Sequence, residues 1–279
     1  MNPLVTPTWL SARLSDPNTI ILDATLPPVG VTPPIDTHAR YLAQHIPNAL
    51  FFDIEELSDH STALPHMLPT AEAFSRSMSA LGIADNRTIV VYEQEGVFSA
   101  PRAWWTLRTF GAQHVHILDG GLRAWIEAGL QTQSGPVKRT PAIFHATLNP
   151  DAVKNLSQIK EKIANHQQIL DARTAARFNG TAPEPRPNLS SGHMPGATSL
   201  PFTELVEDGR LKPAEKLREL FLTKQINLQQ PITTTCGSGV TAAVLALGLV
   251  VAGAQEISLY DGSWAEYAQQ PDSIIEKNN

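Results

Sequence analysis

The stretch Pro231-Ile232-Thr233-Thr234-Thr235-Cys236-Gly237-Ser238-Gly239-Val240-Thr241-Ala242-Ala243-Val244 decides the architecture. Its opening is β-branched and predicts a strand, because such side chains suit a pleated, buried surface. Cys236-Gly237-Ser238-Gly239 predicts a turn, and Val240 to Gly253 predicts a helix that is apolar all round and therefore buried. That run is too short to span a bilayer. Working outward, Gln168–Asp171 and Ile257–Tyr260 read as further strands. Pro213 to Phe221 reads as a helix, with Pro213 in the first helical position and Leu217, Leu220 and Phe221 on one face. Strands alternating with helices predict an α/β fold whose mostly parallel sheet is covered on both faces.

The pattern occurs twice. Leu22-Asp23-Ala24 recurs 148 residues later as Leu170-Asp171-Ala172, and His45-Ile46-Pro47 recurs at the same offset as His193-Met194-Pro195. Beyond Glu72 the offset is 143, matching Gly96-Val97 to Gly239-Val240 and Ala100 to Ala243. The chain is a tandem duplication, with five extra residues in the first copy between Leu57 and Glu72. The expected boundaries are a first domain over 1–135, a linker over 136–152 and a second domain over 153–279.

Composition sets outer limits. The 279 residues are 42% hydrophobic and 17% charged, which are globular values, and the net charge of −6 argues against a general polyanion binder such as a nucleic-acid-binding protein. The single cysteine excludes an internal disulfide and fits a reducing compartment. The opening residues show no basic stretch followed by an apolar core, so no signal peptide is expected. A cytoplasmic, membrane-free protein is expected, with a monomer as the default.

In parallel sheets ligands bind at the carboxyl ends of the strands, which is where Cys236 falls. A glycine-containing turn ahead of a helix N-terminus gathers N–H groups that favour an anion and populate a thiolate. The first copy has Glu93 at the matching position. A carboxylate cannot carry sulfane sulfur, so only the second copy is expected to be active.

The loop Cys236-Gly237-Ser238-Gly239-Val240-Thr241 resembles the active loop of the 3-mercaptopyruvate sulfurtransferases of the rhodanese superfamily. The resemblance runs through His45-Ile46-Pro47, Ser99-Ala100-Pro101-Arg102-Ala103-Trp104-Trp105, Leu118-Asp119-Gly120-Gly121, Asp171-Ala172-Arg173, Gly192-His193-Met194-Pro195-Gly196 and Asp261-Gly262-Ser263-Trp264. It implies two tandem rhodanese-like domains, the first inactive. It also implies catalysis by Cys236, Ser238, His66 and Glu55, the last standing where the family usually has aspartate. Asp53 and Asp59 are nearby alternatives. Donor contacts are implied at Arg177, Arg186, Gly237, Gly239, Val240 and Thr241. Arginine suits a carboxylate because its planar fork meets both oxygens. Thiosulfate-using rhodaneses carry basic side chains at the second and third loop positions, whereas Gly237 and Ser238 are neutral and suit a monoanionic 2-keto acid thiol. The implied chemistry is a Cys236 persulfide that passes its outer sulfur to a thiol, thioredoxin or cyanide and releases pyruvate, with no metal and no cofactor.

Other features read as structural. Arg102 follows Pro101 at a helix start, and His45 and His193 recur in both copies, the inactive one included. His114-x-His116 lacks a further ligand. Trp104, Trp105 and Trp125 read as core or domain-interface residues, and Trp264, just after the final Asp-Gly, is expected nearer the active loop. A cysteine phosphatase needs an arginine six positions after its cysteine, and Ala242 stands there. Thiosulfate:cyanide transfer and a non-catalytic sulfur carrier are the remaining alternatives.

Overall fold

A computed structural model describes residues 2–27 and 30–278. The chain divides into two compact units. The first comprises residues 1–59, 68–149 and 208–211, and the second residues 60–67, 150–207 and 212–279. Each holds a five-stranded sheet with the same strand order.

In the first unit the strands are β1 (Leu4–Val5), β2 (Thr19–Asp23), β3 (Leu50–Phe51), β4 (Thr88–Tyr92) and β5 (His114–Leu118). They lie in the order β1-β5-β4-β2-β3 and pair in parallel throughout. Among its helices are α1 (Pro7–Ser11), α2 (Thr37–Ala43), α3 (Ala71–Ala80), α4 (Ala100–Thr109) and α5 (Gly121–Glu127). Thr6, Asp36 and Thr70 cap the first three by accepting N–H groups of the opening turns. Residues 140–149 run along this unit: Phe144 is buried edge-on against Phe74, and Thr147 N–H donates to the Phe110 carbonyl.

In the second unit the strands are β6 (Val153–Lys154), β7 (Gln168–Asp171), β8 (Thr198–Ser199), β9 (Ile232–Thr235) and β10 (Ile257–Tyr260). Their order is β6-β10-β9-β7-β8, again parallel, so the sequence repeat is a repeat of topology. Around them lie α6 (Leu156–Ala164), α7 (Ala175–Phe178), α8 (Ala214–Thr223), α9 (Ala242–Ala252) and α10 (Ser263–Tyr267). Parallel strands covered on both faces read as continuous apolar or β-branched runs, and β9 is buried along its whole length.

The α/β class, the duplication and the strand–turn–helix around Cys236 match the expectation. Two helix starts differ. The buried helix begins at Ala242 rather than Val240, because the turn continues through Thr241 with Gly239 at φ +80°. Pro213 precedes α8 as its cap rather than opening it. No helix among the described residues is long and apolar enough to cross a membrane.

Candidate active site

Strand β9 delivers its carboxyl end into the loop 236–241, and α9 carries the chain away. Cys236 is the protein's one thiol and is buried, with 2% of its surface exposed. The loop is pinned from behind by the start of α10. Trp264 N–H donates to the Cys236 carbonyl at 2.9 Å, and Ala265 N–H donates to the Gly237 carbonyl at 3.0 Å. In a trans peptide the N–H points opposite to its carbonyl. Tying these two carbonyls toward α10 therefore aims the N–H groups of Gly237 and Ser238 to the other side. Behind them Val240 and Thr241 offer their carbonyls to the first turn of α9. Backbone N–H groups turned to one side ahead of a helix N-terminus make a cradle for negative charge.

Ser263 fixes the cradle's entrance. Its Oγ donates to the Tyr260 carbonyl and accepts from Cys236 N–H at 3.3 Å and Thr235 Oγ1 at 3.4 Å. Its own backbone is left-handed, with φ +50°. Such strain persists only where surrounding bonds over-determine it.

Both expected arginines reach the loop. A Cβ placed on Gly237 would lie 2.9 Å from Arg177 Nη2 and 3.6 Å from Arg186 Nη1. The missing side chain is therefore what lets two guanidinium groups approach the residue after the cysteine. Arg177 is held by Glu184, whose Oε2 accepts from Nε at 3.1 Å and Nη2 at 2.5 Å. The other Glu184 oxygen accepts from Arg173 Nη1 at 2.7 Å. Arg173 also bonds Asp171 and the Gly192 carbonyl and lies 4.1 Å above the Trp264 ring. Burial alone would depress the Arg173 guanidinium, but the facing charges of Asp171 and Glu184 outweigh it and leave its pKa raised.

His66 belongs to the second unit although it lies in the first sequence copy, within the interval that holds the five extra residues. Its Nδ1 is 3.0 Å from Ser238 Oγ, its side chain is buried, and its φ is +60°. Glu55 belongs to the first unit, where it is exposed and its N–H donates to Asp53 Oδ1 at 3.0 Å. The structure thus gathers Cys236, Gly237, Ser238, Arg177, Arg186 and His66 within one unit.

The first unit has a matching cradle that is already filled. Glu93 Oε1 accepts from the N–H groups of Phe98, Ser99 and Ala100 at 2.7, 3.1 and 3.0 Å, and Oε2 faces Ser99 Oγ. Burial raises this carboxyl to about 6, while those donors pull the other way. The repeated histidines each tie a returning segment to its unit. His45 bridges Gln133 and His193 bridges Glu276; the histidines are 148 residues apart and their partners 143. Arg102 is buried and lies 4.7 Å from the centre of the Trp105 ring. Among the described residues, no cluster of three or more histidine, cysteine or acidic side chains is placed to hold a metal.

Sequence reasoning missed Glu184 and Ser263 as parts of the site. Glu184 stands two residues before the expected Arg186, in Pro183-Glu184-Pro185-Arg186, and Ser263 lies in the segment Asp261-Gly262-Ser263-Trp264. An acidic residue between two prolines beside an expected anion-binding arginine was the available signal.

Two parallel sheets of equal order, one ending in a thiol cradle and one in a carboxylate-filled copy of it, define a tandem rhodanese. The chain belongs to the rhodanese family: the model of the rhodanese-like domain matches residues 6–128 and 153–270. The 3-mercaptopyruvate sulfurtransferase of Escherichia coli K12 is 44% identical over 271 residues, covering 96% of this chain and 95% of that protein. A mitochondrial thiosulfate/3-mercaptopyruvate sulfurtransferase of Arabidopsis thaliana is 42% identical, covering 98% of this chain and 78% of its own length. The crystal structure of SseA from Escherichia coli, described as a 3-mercaptopyruvate sulfotransferase with the rhodanese fold, superposes with a TM-score of 0.87 at 42% identity, covering 95% of this chain and all of that one.

Proposed function

We propose that this chain is a 3-mercaptopyruvate sulfurtransferase working through a Cys236 persulfide. The observation that carries the reading is the approach of Arg177 and Arg186 to Gly237, next to the thiol, in a loop with no charged side chain of its own. That arrangement suits a donor with one carboxylate at one end and a transferable sulfur at the other. Full-length similarity to sulfurtransferases that use this donor supports it.

In the first half-reaction the donor carboxylate sits on the two arginines and its sulfur faces Cys236. The thiolate attacks that sulfur. The new S–S bond forms as the C3–S bond breaks, and the bonding pair departs on carbon as the enolate of pyruvate. One proton completes pyruvate: the donor thiol gives it up as the persulfide forms, and the Ser238 hydroxyl and His66 relay it to carbon. The resemblance assigns Glu55 to orient this histidine. Cys236 is left as a persulfide whose charge is balanced by the loop N–H groups. In the second half an acceptor thiolate or cyanide attacks the outer sulfur, and the Cys236 thiolate is the leaving group. The acceptor is a small thiol or a dithiol protein of the thioredoxin kind. The enzyme works as a cytoplasmic monomer.

The test is steady-state sulfur transfer from 3-mercaptopyruvate and from thiosulfate, with the wild type and Cys236→Ser. The expected result is a kcat/KM preference for mercaptopyruvate that disappears in the variant. A thiosulfate preference overturns the donor assignment, and activity without Cys236 overturns the mechanism.

A further inference from the structure

Glu184 joins the guanidinium group of Arg177, which lines the donor end of the site, to that of the buried Arg173. Its side chain is 2% exposed, and its oxygens are divided between Arg173 at 2.7 Å and Arg177 at 2.5 Å. Pro183 and Pro185 flank it, and a residue before proline is held extended, so its backbone has little freedom to withdraw. Arg173 is already committed to Asp171 and the Gly192 carbonyl. Arg177 is the more exposed partner, and its Nη2 is the atom that reaches Gly237.

Two consequences follow for an anion bound there. The Glu184 bonds to Nε and Nη2 fix the plane of the Arg177 guanidinium. The Glu184 charge also lowers the positive potential that Arg177 projects toward Gly237. Coulomb energy scales with the ligand's charge, so removing a nearby negative charge helps a dianion twice as much as a monoanion. Low exposure keeps solvent from screening the difference. We propose that Glu184 is a specificity-determining residue of the donor pocket: it holds the potential beside Gly237 at a level that favours a monoanionic sulfur donor over a dianionic one. The proposal rests on the reading of Arg177 and Arg186 as donor-binding residues.

The experiment compares kcat/KM for 3-mercaptopyruvate and for thiosulfate in the wild type, Glu184→Gln and Glu184→Asp. The glutamine keeps the shape and loses the charge. The aspartate keeps the charge and shortens the reach. The mercaptopyruvate-to-thiosulfate ratio is expected to fall about tenfold or more in Glu184→Gln and to change less than threefold in Glu184→Asp. An unchanged ratio in Glu184→Gln, or equal falls in both variants, overturns the proposal and leaves Glu184 a purely structural residue. Should Glu184→Gln not fold, the wild type answers through protection of Cys236 from alkylation by pyruvate and by sulfate. Protection by pyruvate at the lower concentration is expected, and equal or better protection by sulfate overturns the proposal. A wild type inactive with mercaptopyruvate, or active without Cys236, marks failure of the underlying reading instead.

Discussion

The Nδ1 of His66 lies 3.0 Å from the hydroxyl oxygen of Ser238, joining residues 172 positions apart in sequence. Both side chains are buried, so the pair is a directed hydrogen bond rather than a solvent-averaged contact. If it moves the proton that completes pyruvate, its loss falls on turnover. Ser238→Ala and His66→Gln are each expected to lower kcat roughly a hundredfold, the usual scale of general acid–base assistance. The double variant is expected to lose little more, because the two act as one unit. Steady-state kinetics on the three variants check this, and fully multiplicative losses would separate the residues.

Arg177 is expected to act through donor binding. Arg177→Met removes a charged hydrogen-bond donor and is expected to cost about 2 kcal/mol, or about thirtyfold in kcat/KM for mercaptopyruvate. Arg177→Lys is expected to recover little, because a single ammonium cannot bond Glu184 along one edge and an anion along another. Full recovery with lysine would reduce Arg177 to a point charge.

Gly237 is expected to tolerate no side chain without cost. The Cβ of Gly237→Ala would come within 2.9 Å of Arg177 Nη2, an atom already anchored by Glu184. KM for mercaptopyruvate is expected to rise about tenfold, equivalent to ~1.4 kcal/mol, with the melting temperature little changed. An unchanged KM would place the donor carboxylate elsewhere.

Glu93 is expected to make the first unit's stability depend on pH. Its folded pKa is raised from the ordinary 4.5 to about 6, with burial as the main cause. The native state therefore holds a proton that the unfolded chain has lost between those values. The associated stability is full below the lower value and is lost as pH rises through the higher one, up to about 2 kcal/mol. Glu93→Gln keeps an acceptor for the three N–H donors and mimics the protonated acid. Urea unfolding at pH 4.5 and pH 7.5 is expected to show a smaller pH effect in the variant, which gains stability relative to the wild type at the higher pH. Asp23, also raised by burial, adds a pH effect of the same sign to both proteins and cancels in the comparison. Parallel pH profiles would refute the assignment.

Much of this was legible in the residues. The constant offsets between Leu22-Asp23-Ala24 and Leu170-Asp171-Ala172, and between Gly96 and Gly239, carry the same strand order into both sheets, because aligned strands and turns leave little room for another topology. The β-branched run before Cys236 fixed the place of the thiol. The parts that were not legible depend on contacts between distant segments. Ser263 is an unremarkable serine until the start of α10 folds under the loop and its Oγ meets the Cys236 N–H. Glu184 reads as a surface acid in a proline-rich stretch until Arg173 and Arg177 close on it. His66 was located within the insertion, but nothing local to residues 60–67 says that they fold with the second unit.

The carboxylate seated in the first unit's cradle has a stoichiometric meaning. The duplication produced two seats for an anion, and the chain fills one with its own side chain at Glu93. That half is born saturated, so it neither waits for a ligand nor competes for one. With Cys236 as the proposed sulfur carrier, each molecule is expected to hold a single travelling sulfur atom however much donor is supplied, and intact mass spectrometry of the loaded chain is expected to show a gain of one sulfur.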